Sequence, residues 1–161
     1  GIALWERQWM KSWVLGLAMA GLAGAIAAQA QSPAQVVQER RDGLRRMGGH
    51  MEAMQQIAQT RGDPRPAVQR LDDMVAFFGT GFVQRFPGGT QQGAAGLETR
   101  ALPAIWSDLP AFERAQQGTT QALTTLRTAA AAGDAAAFQS AFQAAGQSCG
   151  VCHRPFRAPA R

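Results

Sequence analysis

Both cysteines of this 161-residue chain fall in one run near its end, Ser148-Cys149-Gly150-Val151-Cys152-His153, which reads Cys-x-x-Cys-His. On a helix Cys149 and Cys152 stand three positions apart and Cys149 and His153 four, so the three side chains share one face about a turn apart. Two thiols so placed can add to the two vinyl groups of a porphyrin as thioethers while the imidazole reaches its iron. This spacing is the attachment signal of a c-type haem. One motif predicts one haem, covalently held by Cys149 and Cys152, with His153 as the iron ligand.

Rival chemistries use the same residue types and fit less well. A thioredoxin-type dithiol sits at a helix N-terminus, where the positive pole lowers the thiol pKa; this motif closes the last helical pattern, where the pole has the opposite sign. A structural zinc site needs about four ligands. The only other histidine is His50, and Cys152 and His153 are sequence neighbours that do not readily share a tetrahedral ion. A plain disulfide leaves His153 without a role.

The elements that must carry this motif begin with an export signal. Met10-Lys11-Ser12-Trp13, the apolar run Val14 to Ala28 and the triplet Ala28-Gln29-Ala30 form the basic, hydrophobic and A-x-A parts of a secretory signal peptide. Residues 1–30 are therefore expected to be removed, with translation starting at Met10, and residues 31–161 to form the mature domain. The run falls short of the ~20 residues of a membrane span, so no anchor is expected to remain. Covalent haem attachment of this type belongs to the far side of a bacterial inner membrane, which predicts a periplasmic protein of a Gram-negative bacterium.

Composition narrows the rest. An Ala- and Gln-rich chain with 18 Gly, no Tyr and a net charge of +5 favours helix over sheet and has no signature of disorder. Residues 31–161 carry 14 Arg against 10 Asp and Glu, scattered along the chain, which argues against nucleic-acid binding. No general acid or base is poised anywhere, so no catalytic residue is assigned and the protein is not read as an enzyme.

Four amphipathic helices are predicted. The first starts with Ser32 as N-cap, Pro33 at the first helical position and Gln35 closing a capping box, and runs to about Gln59. Its inward stripe is Val37, Arg40, Leu44, Met47, Met51, Met54, Ala58, the alternating three-four spacing of a bundle seam. Arg40 is the charge on that seam, either snorkelling or facing the carboxylates of a haem. Asp63 is expected to cap a second helix with prolines in its first turn and the stripe Val68, Leu71, Val75, Phe78, Phe82. A Gly/Pro-rich connection from Arg85 to Trp106 follows, long enough to cover a haem edge. The third helix, capped by Ser107 or Asp108, runs to Ala132 with Phe112, Ala115, Thr119, Ala122, Leu126 and Ala129 inward. Gly133 stops it and Asp134 caps the fourth, whose stripe is Phe138, Phe142, Ala145, Cys149, Cys152, Phe156. The haem motif thus lies on the core stripe. Pro155 lacks the N–H that would bond the Val151 carbonyl, so a kink or stop near His153 is expected. The fold class is all-α, an antiparallel up-down-up-down four-helix bundle with haem between helices near the C-terminal end.

Across residues 32–158 the chain resembles the cytochrome c′ family, the class II c-type cytochromes. The resemblance rests on Arg40-x-x-x-Leu44-x-x-Met47-Gly48, Phe86-Pro87-Gly88-Gly89-Thr90, Pro103-Ala104-Ile105-Trp106-Ser107-Asp108, Gly133-Asp134 and Cys149-x-x-Cys152-His153-x-x-x-Arg157. It implies that the residue four after the arginine faces the iron. Methionine there makes a six-coordinate electron carrier of the cytochrome c556 kind, whereas a hydrocarbon leaves the iron five-coordinate and high-spin. Leu44 therefore implies an open, crowded, apolar distal face that binds nitric oxide and carbon monoxide, with sequestration of nitric oxide or electron transfer as the use.

The resemblance also places Arg157 beside the proximal histidine, where it could steady a released imidazole or a bound gas, and implies a homodimer paired through the first two helices. The redox partner protein is not identified. Two alternatives stay open: Met47 or Met51, each within a seam's width of Leu44 at about 100° per residue, supplying an axial ligand, and a haem-free helical dithiol protein. His50 lies about 120° from Leu44 on the same wheel.

Overall fold

In a computed structural model the chain is described over residues 29–160. The proposed leader, residues 1–30, lies almost wholly outside the described residues. The first helix, α1 (Pro33–Thr60), opens on the capping box: Ser32 accepts from the Gln35 backbone N–H, and Gln35 in turn accepts from the Ser32 backbone N–H. It ends at Arg61, whose left-handed backbone (φ 51°) lets Gly62 N–H return to the Ile57 carbonyl at 3.1 Å, a closure that satisfies an otherwise free helix-end acceptor.

Asp63 accepts from Arg65 N–H at 3.1 Å, an Asx turn that starts a 3₁₀ turn over Arg65–Ala67 and only then α2 (Val68–Phe78). The prolines thus sit in a tighter turn than the expected first turn of an α-helix. The second helix also stops a turn earlier than its apolar pattern predicts. Its last carbonyls are taken from across the bundle: the Gln116 amide donates to Phe78 O at 2.6 Å and Gly79 O at 3.3 Å, and the Thr120 hydroxyl to Phe78 O at 2.8 Å. Phe82 remains buried from the turn that follows. The expected stripe is only one edge of the buried face. Met74 and Phe77 are inside while Val68 and Val75 are half-buried, because α2 packs against both neighbours and needs two edges.

A connection through residues 86–103 leads to α3 (Ala104–Ser107), a short helix that periodicity did not indicate, and Asp108 caps α4 (Leu109–Ala131) through Ala111 N–H. Leu123 and Ala130 join its buried face, while Ala115 and Ala122 are half-buried. Gly133 adopts φ 68°, and Asp134 accepts from Ala137 N–H at 2.9 Å to start α5 (Ala135–Phe156).

Neighbouring helices run antiparallel. Phe112, early in α4, meets Phe156 at the end of α5 with ring centroids 5.2 Å apart. Gln116 of α4 reaches the end of α2, and Arg127 near the end of α4 pairs with Asp72 early in α2 at 2.5 Å. Between α1 and α2, Gly43 lies against the Phe77 ring. The architecture is the expected four-helix bundle, formed by α1, α2, α4 and α5.

The expected break at Pro155 does not occur, for α5 continues to Phe156. The proline stands in the last turn, and the Val151 carbonyl it leaves unbonded belongs to a residue 53% exposed, where solvent can take the place of the lost donor. Arg157 N–H still reaches His153 O at 3.0 Å. The tail after α5 is stitched to the long connection: Leu102 N–H donates to Phe156 O at 2.9 Å and Ala158 N–H to Arg100 O at 2.8 Å.

Candidate functional site

Where α2 stops short, the bundle holds a cavity of about 1030 Å³. Its walls are mostly hydrocarbon and thioether, from Leu44, Met47 and Met51 on α1, Met74 and Phe78 on α2, and Phe112 on α4. Cys149, Cys152 and His153 line it from α5, on one face as their spacing predicts. Leu44 is half-buried against the core, and Met47 and Met51 line the same space.

The two cysteines are unpaired, and burial raises both thiol pKa values. Cys149 hydrogen-bonds the Ala145 carbonyl at 3.4 Å. Cys152 is pushed up to about 11, by burial first and by its neighbour Cys149 second. Protonated, half-buried thiols are the reverse of a redox-active dithiol, whose attacking sulfur is a stabilised thiolate. Among the described residues no three of His, Cys, Asp and Glu are gathered to hold a bare metal ion.

The two histidines differ in what holds them. His50 is tied between α1 and α2: its Nε2 lies 2.7 Å from Asp73 Oδ2 and its Nδ1 3.2 Å from Arg70 Nη1. Because arginine only donates, Nδ1 accepts and Nε2 carries the proton toward Asp73. His153 makes no side-chain hydrogen bond to any described residue. Its pKa is lowered by burial and then by the nearby Arg157 and Arg100, so the ring is held neutral with a nitrogen lone pair free to bind a metal.

Arg40 is 2% exposed and does not snorkel. It donates to Arg85 O at 3.1 Å, Thr90 Oγ1 and O at 2.9 Å each, and Thr99 Oγ1 at 3.0 Å, and its guanidinium stacks over Phe86 at 4.4 Å. Burial lowers its pKa to about 10, which leaves it charged at neutral pH. The side chain therefore anchors the connection that closes the cavity, while still touching the lining. Arg157 stands at the mouth beside His153 and Cys152. Its pKa is lowered by burial and by Arg100, so two guanidiniums lie close together there. Arg100 carried no sequence signal; the pairing of residues 100–102 with 156–158 brings it in.

A profile of the cytochrome c′ family matches residues 35–157. The chain belongs to the cytochrome c′ family. Cytochrome c′ of Rhodospirillum rubrum is 32% identical over 150 residues, 92% of this chain and 99% of that protein. Among solved structures, a nitric oxide complex of a variant of cytochrome c prime from Alcaligenes xylosoxidans is 25% identical, covers 82% of this chain and all of its own, and superposes with a TM-score of 0.71. A carbon monoxide-bound variant of the same protein is 26% identical, covers 81% of this chain and all of its own, and gives 0.70.

Membership in the cytochrome c′ family implies a c-type haem, and this cavity fits one. Its volume matches the upper range of small-molecule and cofactor sites. Its walls are apolar, a neutral imidazole and two unpaired thiols share one side, and Arg41, Arg45, Arg100 and Arg157 line it as well, offering partners to two carboxylates.

Proposed function

We propose that this chain is a periplasmic cytochrome of the cytochrome c′ family, made of residues 31–161 after removal of residues 1–30. It would carry one haem, joined by thioethers to Cys149 and Cys152, with His153 as its only protein ligand to iron. The observation that carries the reading is that these three side chains line a largely apolar cavity, open at one mouth, that Leu44 lines from α1. The haem would supply an iron with one open coordination position and a ferric–ferrous couple.

The chain's own residues do the rest. Cys149 and Cys152 would hold the macrocycle covalently, and His153 would offer its free lone pair to the iron. Leu44 has no lone pair, keeps water from the open face and crowds a small guest. Arg40 holds the covering connection, and Arg100 and Arg157 set positive charge at the mouth. Binding of nitric oxide and carbon monoxide is proposed on this basis and on the gas complexes of the Alcaligenes xylosoxidans protein, with sequestration of nitric oxide or electron transfer as the use. Pairing of two chains through α1 and α2 is part of the reading and is tested by sedimentation.

The deciding experiment is export of the chain with cytochrome c maturation machinery. The expected product has a mass increase of one haem that survives denaturation and acid-solvent extraction, and a high-spin ferric and ferrous spectrum. Cys149→Ala and Cys152→Ala each lose one thioether, and His153→Ala loses the normal axial bond. Extractable haem, or none, overturns the proposal. A low-spin ferrous spectrum would instead favour a six-coordinate electron carrier with a methionine ligand, a reading supported by Met47 and Met51 lining the same cavity.

A further inference from the structure

Arginines that are scattered along the chain gather in space at one end of the bundle. Phe112 meets Phe156, Gln116 reaches the end of α2, and Gly43 lies against Phe77. The first half of α1, the end of α2, the connection, the start of α4 and the end of α5 therefore share the end that holds the cavity mouth. That end, residues 31–48, 75–120 and 147–160, carries nine arginines against five acidic residues, a net charge of +4. The other end, residues 49–74 and 121–146, carries four arginines against five acidic residues, a net charge of −1. Assigning Asp73, which pairs with Arg46, to the mouth end gives +3 and 0 instead, and the asymmetry stands.

Most of the cations at the mouth end are uncommitted. Carboxylates hold Arg41, Arg45, Arg46, Arg65 and Arg127, and carbonyls and hydroxyls hold the buried Arg40. Arg85, Arg100, Arg114, Arg154 and Arg157 make no ion pair with any described residue. All five belong to the mouth end, and all but Arg85 are exposed. Arg114 and Arg154 each stand two residues along their helix from the Phe112–Phe156 contact, and so at one level. Arg100 and Arg157 are brought together by the pairing of the connection with the tail. The carboxylates of one haem can occupy two of these five arginines, which leaves three without a partner. Among the described residues the large apolar side chains left exposed are Leu109 and Val151. Both are at this end, and Val151 falls between the two cysteines.

A basic rim beside a small apolar contact is the make-up of a protein-docking face, and charge complementarity selects an acidic partner. Nucleic acid fits poorly, because no aromatic side chain is exposed among the described residues to give a base a stacking platform. A lipid surface would meet the charges but not the leucine- or aromatic-rich face that lodges a helix among headgroups. We propose that the mouth end is the docking face for an acidic electron-transfer protein, with Arg100, Arg114, Arg154 and Arg157 as its basic rim and Val151 as an apolar contact. This inference rests on the haem reading above and takes electron transfer as the use. Each encounter passes one electron between the partner's redox group and the iron, oxidising one as the other is reduced. The charge asymmetry turns the chain mouth-first during approach, so the porphyrin edge, and not the far end of the bundle, meets the partner.

The test pairs the ferric holoprotein with reduced flavodoxin, an acidic protein whose flavin hydroquinone becomes semiquinone as the iron becomes ferrous. Stopped flow gives the bimolecular rate, and calorimetry with oxidised flavodoxin gives the dissociation constant. Both are followed from about 0.01 M to about 0.15 M ionic strength, over which the screening length falls from ~30 Å to ~8 Å. Rate and affinity are expected to fall as salt rises. Arg114→Glu and Arg154→Glu should each lower the low-salt rate roughly three- to tenfold and weaken binding, converge on wild type at high salt, and leave the spectrum and carbon monoxide affinity unchanged. Arg61→Glu, the same charge change at the far end, should alter the rate less than about twofold, since it lies beyond the reach of the contact. If Arg154→Glu loads haem poorly, Arg154→Gln gives the comparison at half the charge change. Equal effects of Arg61→Glu and Arg154→Glu would mean that net charge alone is at work and overturn the docking face, as would a rate that is flat or rises with salt. Wild-type holoprotein that sediments with phosphatidylglycerol vesicles, while Arg114→Glu and Arg154→Glu leave the flavodoxin rate unchanged, assigns the charges to a lipid surface and also overturns it. Each of these outcomes leaves the haem reading standing. A wild-type chain without covalent haem overturns the functional reading and this inference with it.

Discussion

Arg40→Met removes the buried cation from the connection that closes the cavity while leaving an apolar stem of similar reach to pack on Phe86. Four hydrogen bonds are lost, to Arg85 O, Thr90 Oγ1, Thr90 O and Thr99 Oγ1. At ~1.5 kcal/mol for each bond from a charged donor the gross loss is ~6 kcal/mol. The site also taxes the charge it holds, as the lowered pKa of Arg40 records, and part of the loss returns when that cation is gone and the freed carbonyls meet water. The expected net destabilisation is about 3 kcal/mol, in the range for breaking a buried charged network. For a domain of this size it lowers Tm by roughly 10 °C. Urea unfolding of the holoprotein measures the free energy, and limited proteolysis reports on residues 86–100, where cleavage should rise. Arg40→Lys keeps the charge as a compact ammonium that cannot span Thr90 and Thr99 together, and should recover only part of the loss. If Arg40→Met costs under ~1 kcal/mol and the connection stays protected, then the contacts do not hold it and the anchoring argument fails.

Leu44→Ala should raise carbon monoxide affinity by about tenfold or more, a difference of ~1.4 kcal/mol, at a stability cost near ~2 kcal/mol because the side chain is only half-buried; unchanged affinity would make Leu44 a core residue and nothing else. Leu44→Met should shift the ferrous spectrum toward low spin. Two helical glycines should respond with opposite signs. A methyl group on Gly43 overlaps the Phe77 ring and should cost about 1–3 kcal/mol in urea unfolding. A methyl group on Gly118 meets nothing within 4 Å and should add up to about 1 kcal/mol from helix propensity. Asp73 has its pKa lowered by hydrogen bonds from Arg46 and then His50. A carboxylate with a depressed folded pKa stabilises above its unfolded pKa, and that stability is lost as pH falls through the folded value. Asp73→Asn should therefore lose ~0.5–1 kcal/mol at pH 7, a small figure because the group is partly exposed, and match wild type once the pH has fallen below the lowered folded pKa of Asp73. A difference that persists at low pH would locate the effect in packing.

The features legible in the sequence are those whose partners lie within a few residues. The Ser32–Gln35 box, the Gly133 stop and the Asp134 cap each need only local geometry, and each stands as read; Cys149, Cys152 and His153 need no more than helical spacing to line one cavity together. Arg40 was legible as an anomaly but not as an anchor, because its acceptors Thr90 and Thr99 lie 50 and 59 residues away in a stretch with no periodicity. Arg100 and Arg157 meet only because two irregular segments pair. The face of α2 was half-read for a related reason: period alone marks one apolar edge, and Met74 and Phe77 are buried because the helix has two neighbours.

The early end of α2 explains why there is a cavity at all. α2 spans 11 residues, against 28 in α1, 23 in α4 and 22 in α5, so one end of the bundle has three long walls and lacks most of the fourth. Apolar periodicity through Phe82 would have carried the helix on and filled that end with side chains. Gln116 and Thr120 instead bond the Phe78 and Gly79 carbonyls, which removes the need for another turn to satisfy them. The chain then leaves the bundle axis, Phe82 and Phe86 fold back against Phe112, and Arg40 pins the rest over the gap. The space that results lies at the end where α5 terminates, so the Cys-x-x-Cys-His face opens onto it. Helix length, set by two side chains on a neighbouring helix, thus fixes both where a macrocycle fits and which residues reach it.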